Sequence, residues 1–262
     1  MPRRPRYRLT DFPLHVVQRG NDRRACFFEE RDFRFYLQLL EEAVVRHRVL
    51  VHAYVLMTNH VHLLLTPVVP GAISKVMQSV GSRYVKAINK ASGKVGTLWE
   101  SRYKACLVAQ DEHVLAACRY IDLNPVRAQM VEHPGDYRWS SYRALAGMRV
   151  DVLVTPHAAL EQLGTSSAAY ARWCEAGTDY SELERLRHAT EHELAFGSEA
   201  FKKKIESMSD RATVARPPGP PLPETALHLA DGRGQSGAVP PLAAVARNRP
   251  HDADCGYRAP GV

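Results

Sequence analysis

The sequence predicts an α+β fold, one antiparallel sheet with helices packed against it. Three observations carry this. Strand-like and helix-like apolar patterns follow one another in the order β-α-β-β-α-β over residues 14–109. Two of the strands are joined by the short polar pair Thr58-Asn59, a hairpin signal. From residue 215 the composition changes character. Together these describe a ferredoxin-like split β-α-β sandwich with extra C-terminal helices and a disordered tail.

The elements follow in order. Residues 1–10 form a basic arm with arginines at 3, 4, 6 and 8. Residues 14–18 read as a short strand that ends in the arginine-dense turn Arg19-Gly20-Asn21-Asp22-Arg23-Arg24. Phe33, Leu37, Leu40 and Val44 recur at helical spacing and predict a helix over 29–48. Residues 49–57 and 60–66 are the two arms of the hairpin, and Pro67, Pro70 and Gly71 break the chain after it. A second helix over 72–91 turns Ile73, Met77, Val80, Tyr84 and Ile88 inward and Lys75, Arg83, Lys86 and Lys90 outward. A fourth strand is expected near 103–109. Asp111 suits the N-cap of a third helix over 112–123, with Val114, Cys118 and Ile121 facing the core.

Trp139 and Tyr142 mark 125–150 as ordered, and a small helical region runs on to 214 with an amphipathic, charge-mixed stretch near 181–206. Nine of the seventeen prolines and six glycines fall in the 48 residues 215–262, which hold few large apolar groups and cannot form a core. The chain divides into an arm (1–10), a catalytic domain (11–147), a helical extension (148–214) and the tail (215–262).

Composition narrows the class. The formal charge of +7 suits a polyanionic partner, nucleic acid being the commonest. Five scattered cysteines without a C-x-x-C pair argue against a disulfide framework and a thiolate zinc site, and fit a reducing compartment. The basic N-terminus has no apolar segment behind it, and no apolar run approaches the roughly 20 residues of a membrane helix. A cytoplasmic, nucleoid-associated protein is expected.

His60-Val61-His62 is the most informative triplet. Side chains alternate along a strand, so both imidazoles face one side. Burying them is costly unless something pairs with them, and a divalent metal held by neutral ring nitrogens is the obvious partner. Structural burial is the competing reading for the pair taken alone. Tyr120 and Asn124 stand four apart, hence on one helix face. The tyrosine is a possible nucleophile beside a metal-held phosphate, and the asparagine oxygen a possible third ligand for a hard cation. Each also has a structural reading: Tyr120 as a helix-core aromatic, and Asn124 as the N-cap of a short helix over 125–131 that opens with Pro125.

The motifs HVVQRGND (15–22), HAYVLMTNHVHLLLTP (52–67), GTLWESRYKA (96–105), RYIDLNPVRAQMV (119–131) and WSSY (139–142) resemble, in this order, those of the REP-associated tyrosine transposases, a bacterial branch of the single-tyrosine HUH superfamily. The resemblance covers about residues 5–147; 151–214 matches only loosely, through AFGSEAFKKKIE, and the tail lies outside it. It implies Tyr120 as nucleophile, His60, His62 and Asn124 as ligands of Mg²⁺ or Mn²⁺, and single-stranded or hairpin DNA as substrate. Cleavage and rejoining then pass through a 5′-phosphotyrosine. DNA contacts are expected from Arg19, Asn21, Arg23, Arg83, Lys86, Arg102, Lys104 and Arg127, by a monomer or a homodimer. Two rival readings use the same fold: a domesticated DNA-binding protein that no longer cuts, and a metal-dependent nuclease that uses water.

Overall fold

A computed structural model describes residues 5–93, 95–109, 112–164, 167–177, 179–209 and 212–213. Arg3 and Arg4 of the arm, the Asp111 cap and the tail lie outside the described residues. Two units separate near Pro217, and the described residues belong to the first.

The strands are β1 (Leu14–Arg19), β2 (Val49–Met57), β3 (His60–Pro67), β4 (Lys104–Val108) and β5 (Ala195–Phe196). They form one sheet in the order β2-β3-β1-β4-β5. The first four pair antiparallel in the split β-α-β order. β5 adds a parallel edge beside β4, which the sequence reading did not anticipate. It divides the expected 181–206 stretch into α7 (Tyr180–Glu191) and α8 (Glu199–Met208).

α1 (Glu30–His47) and α2 (Ala72–Ser92) cover one face of the sheet. α1 is fixed at its start by a reciprocal capping box between Glu29 and Asp32. Its buried stripe is Tyr36, Leu39, Leu40, Ala43 and Val44, rotated from the expected one. Phe33 instead sits at the helix edge and stacks on Trp139, ring centroids 4.8 Å apart. The α2 stripe is buried as read from its spacing.

The other face is where the sequence left a question. α3 (Glu112–Asp122), α4 (Asn124–Arg127), α5 (Tyr142–Leu145), α6 (Ser167–Glu175) and α7 close over it. Every residue of α3 from Val114 to Asp122 is buried, because the sheet packs on one side and α6 and α7 on the other. The described residues of 148–213 therefore share the sheet and core of the rest. α4 corrects the capping expectation: its N-cap is Leu123, and Asn124 lies inside the helix. The Asn124 amide instead donates to the Tyr120 carbonyl at 3.0 Å, an acceptor left without its usual partner where α3 ends.

Asp122, wholly buried, joins α3 to α5 and α6. Ser141 Oγ and Tyr170 OH lie 2.7 and 2.8 Å from its two oxygens. Burial raises its carboxyl to about 7 despite both contacts. The unfolded chain ionises this group near pH 4, so its contribution is full below that pH and is lost as pH rises to about 7. Asp122→Asn keeps both partners and removes the titration. Urea unfolding of the variant is expected to be flatter between pH 5 and 8 than wild type, with the gain in stability largest at pH 8.

Candidate active site

The β2–β3 turn sets the site. Met57 pairs with His60, leaving Thr58-Asn59 as a two-residue loop. Neither residue takes positive φ, so the primed turn that two-residue hairpins prefer is absent. The turn is held from outside. The Thr58 carbonyl accepts from the backbone N–H groups of Cys26 (2.9 Å) and Phe27 (3.1 Å), and the Asn59 carbonyl from that of Gly20 (2.8 Å). Gly20 has no room for a side chain: a Cβ there would lie 2.2 Å from the Arg24 carbonyl oxygen.

With the turn fixed, alternation does the rest. Val61, Leu63 and Leu65 join the core under α1 and α2, while His60, His62 and Leu64 face α3 and α7. On β1, Val17 lies opposite His62 and Arg19 opposite His60, with His15 on the same face. The rings of His60 and His62 are 4.9 Å apart. His15 stacks on His62 at 5.1 Å with an interplanar angle of 7°. The Tyr120 ring meets both His15 and His62 edge-on at 5.5 Å. Tyrosine and histidine pair therefore converge.

Hydrogen bonds anchor these rings. His60 Nδ1 lies 2.6 Å from Asn59 Oδ1, and the Asn59 amide nitrogen donates to the Arg23 carbonyl at 2.9 Å. His62 Nδ1 lies 2.9 Å from His15 Nε2, and His15 Nδ1 lies 2.9 Å from Thr190 Oγ1 of α7. Burial lowers His15 to about 3 and His60 to about 4, and holds His62 well below the ordinary range. All three are neutral at pH 7, the form that ligates metals.

A cleft of about 430 Å³ opens onto this cluster. Arg19, Arg23, Arg102 and Lys104 line it with His15, His62 and Tyr120, and Arg187, Thr190 and Glu191 of α7 close its far side. Arg127 lies over the Tyr120 ring at 4.5 Å and donates to the Tyr120 carbonyl. The Arg187 guanidinium is 5.8 Å from the same ring and is held above its ordinary value, first by the Tyr120 side chain and then by Glu184.

Of the expected DNA contacts, Arg19, Arg23, Arg102, Lys104 and Arg127 thus gather at the site. Arg83 and Lys86 project from α2, on the opposite face of the sheet. Arg83 is paired with Glu42 at 2.7 Å, and Lys86 lines a second groove that Arg102 also reaches. Asn21 does not line the cleft; its backbone N–H donates to the Leu98 carbonyl. Asn124 stays at the Tyr120 carbonyl, and no hydrogen bond joins it to either histidine. His15, Arg187 and Thr190 escaped sequence reasoning. Strand parity with Arg19 was a usable signal for His15, whereas nothing in the sequence linked α7 to the site.

The sequence model of the IS200-like transposases matches residues 9–124. The match spans β1 to the start of α4 and so includes His60, His62 and Tyr120, but not α7. Among solved structures, a REP-associated tyrosine transposase bound to a REP hairpin is similar at 15% identity and TM-score 0.49, over 61% of this chain and 93% of that one. A proposed transposase from Deinococcus radiodurans R1 is similar at 18% identity and TM-score 0.32, over 50% of this chain and 91% of that one. No curated protein matches the chain. Among the described residues no helix is long and apolar enough to cross a membrane.

Gly20→Ala forces the 20–24 loop away from the turn that carries His60. A loss of about 1–3 kcal/mol, typical of overpacking, is expected in chemical denaturation.

Proposed function

We propose that the protein is a REP-type tyrosine transposase, which cleaves and rejoins single-stranded hairpin DNA through a covalent link to Tyr120. The observation that carries this is the meeting of the Tyr120 ring with the histidine cluster on the floor of a basic cleft.

The arginines and lysine at the rim grip phosphates, and arginine also stacks on bases. Among the described residues no carboxylate forms an ion pair with Arg19, Arg102 or Lys104, so their charge is free for DNA. The Tyr120 oxygen attacks phosphorus. A new Tyr–O–P bond forms as the bond from phosphorus to the 3′ oxygen breaks, and the phenol proton ends on the departing 3′-OH. A phenol ionises in water only near pH 10, so the reaction needs cationic help. Arg187 and Arg127, both at the Tyr120 side chain, supply positive charge as the oxygen becomes anionic. The product is a 5′-phosphotyrosine. Attack on it by a second 3′-OH reverses the step and joins strands without ATP.

The donor set fits a divalent ion in part. Asn59 and His15 occupy the Nδ1 atoms of His60 and His62, which leaves the Nε2 atoms as the ligating nitrogens. Among the described residues no third histidine, cysteine or carboxylate completes a cluster, so an ion held by His60 and His62 would take its remaining ligands from substrate oxygens and water, with Asn124 joining if it released the Tyr120 carbonyl. Mg²⁺ or Mn²⁺ bound there supplies Lewis-acid stabilisation of the charged phosphate.

Incubation of the metal-supplemented protein with an end-labelled hairpin from beside its gene is expected to give a covalent adduct that survives denaturation. Tyr120→Phe should abolish it. Cleavage that persists in Tyr120→Phe without an adduct would instead mean a water-using nuclease, and binding without cleavage a domesticated DNA-binding protein. In fluorescence titrations at varied salt, Arg102→Ala should weaken hairpin binding and reduce the salt slope by about one. Arg83→Ala, already neutralised by Glu42, should change the slope far less.

A further inference from the structure

We propose that His15 and Thr190 form a hydrogen-bond relay that holds His62 in the tautomer with a bare Nε2, making α7 a working part of the metal site. The proposal rests on the metal reading above and assigns roles to two residues that touch no substrate.

The argument is one of hydrogen counting. A neutral imidazole carries one N–H, and threonine has one hydroxyl hydrogen. Thr190 Oγ1 has three neighbours: the Leu186 carbonyl oxygen at 2.8 Å, His15 Nδ1 at 2.9 Å and Cys106 Sγ at 3.2 Å. The carbonyl can only accept, so it draws the hydroxyl hydrogen. His15 must then donate to Thr190 through Nδ1–H, which leaves its Nε2 as an acceptor. The 2.9 Å contact to His62 therefore needs the hydrogen on His62 Nδ1. His62 Nε2 is left with a free lone pair. The opposite direction, with the threonine donating to His15, leaves the Thr190 and Leu186 oxygens 2.8 Å apart with no hydrogen between them and puts the His62 hydrogen on Nε2, where it blocks ligation. The thiol of Cys106 can donate to Thr190 in either case, so it does not choose between them.

An independent network gives the same answer for His60. The Asn59 amide nitrogen is committed to the Arg23 carbonyl, so the Asn59 oxygen faces His60 Nδ1 and requires Nδ1–H there. Two adjacent histidines are thus set to the same tautomer by unrelated partners. One partner set is local to the hairpin; the other begins on α7, beyond the segment matched to the family.

His15 is a positioning residue, and the relay is read without activity. In the metal-free, ¹⁵N-labelled full-length protein at neutral pH, long-range proton–nitrogen correlations should show His60 and His62 both as Nδ1–H. Thr190→Val removes the acceptor and should move His62 to a mixture or to Nε2–H, while Thr190→Ser restores the wild-type pattern. Mn²⁺ titration should show affinity weakened about 10–100-fold in Thr190→Val and in His15→Phe, the usual cost of losing such a partner. Should His15→Phe fail to fold, Thr190→Val decides the matter. His62 as Nε2–H in the wild type, or a Thr190→Val protein with unchanged tautomer and unchanged Mn²⁺ affinity, overturns the relay. Wild-type protein that binds no Mn²⁺ removes the metal reading, while the His62 tautomer and its response to Thr190→Val still decide the relay.

Discussion

The placement of β3 between β1 and β2 is the constraint on which the rest depends. Its residues alternate between two different cores, so a slip of one residue would drive both histidines under α1 and α2 and turn Val61 and Leu63 toward the cleft. Both neighbours contribute to holding the register. β2 pairs along the whole length of β3, and β1 pairs from Leu14↔Leu65 to Arg19↔His60. The hairpin turn itself is not of the self-sufficient kind. Its two carbonyls are claimed by the 20–27 loop, in which a Cβ at Gly20 would collide with the Arg24 carbonyl. A buried glycine beside an arginine cluster thus helps to fix where the two imidazoles point.

The electrostatics of the site divide by depth. At the floor, desolvation removes charge: His15, His60 and His62 are all neutral at pH 7. At the rim, the cationic side chains of Arg19, Arg23, Arg102 and Lys104 are exposed to solvent. Tyr120 lies at the boundary between the two, buried to 6% exposure, with a guanidinium over its ring. This division suits the proposed reaction, in which the rim would attract a polyanion toward neutral nitrogen donors and a phenol at the floor. α7 serves both levels, through Arg187 above and Thr190 below.

Much of this was legible in the sequence because it depends on local periodicity. Strand alternation placed His60 and His62 on one face, and helical spacing gave the buried stripe of α2 as it occurs. What was not legible required distant segments. In α1 the half-buried Phe33 stacks against Phe27 and against Trp139, about a hundred residues on, a contact that no helical spacing could announce. Asn124 was read as an N-cap from the residue that follows it, but the carbonyl stranded at the end of α3 competes for its amide and prevails. β5 is two residues long, too short to leave a period. The contact of Thr190 with His15 spans 175 positions, and no local pattern could have announced it.

The central claim is that His60, His62 and Tyr120 surround one point. Anomalous diffraction from crystals soaked in Mn²⁺ tests it most directly. The account predicts a single strong peak bonded to Nε2 of both His60 and His62, on the side of the sheet that carries Tyr120. A peak bonded through Nδ1, a peak that involves neither histidine, or a phenol turned away from the ion would contradict it.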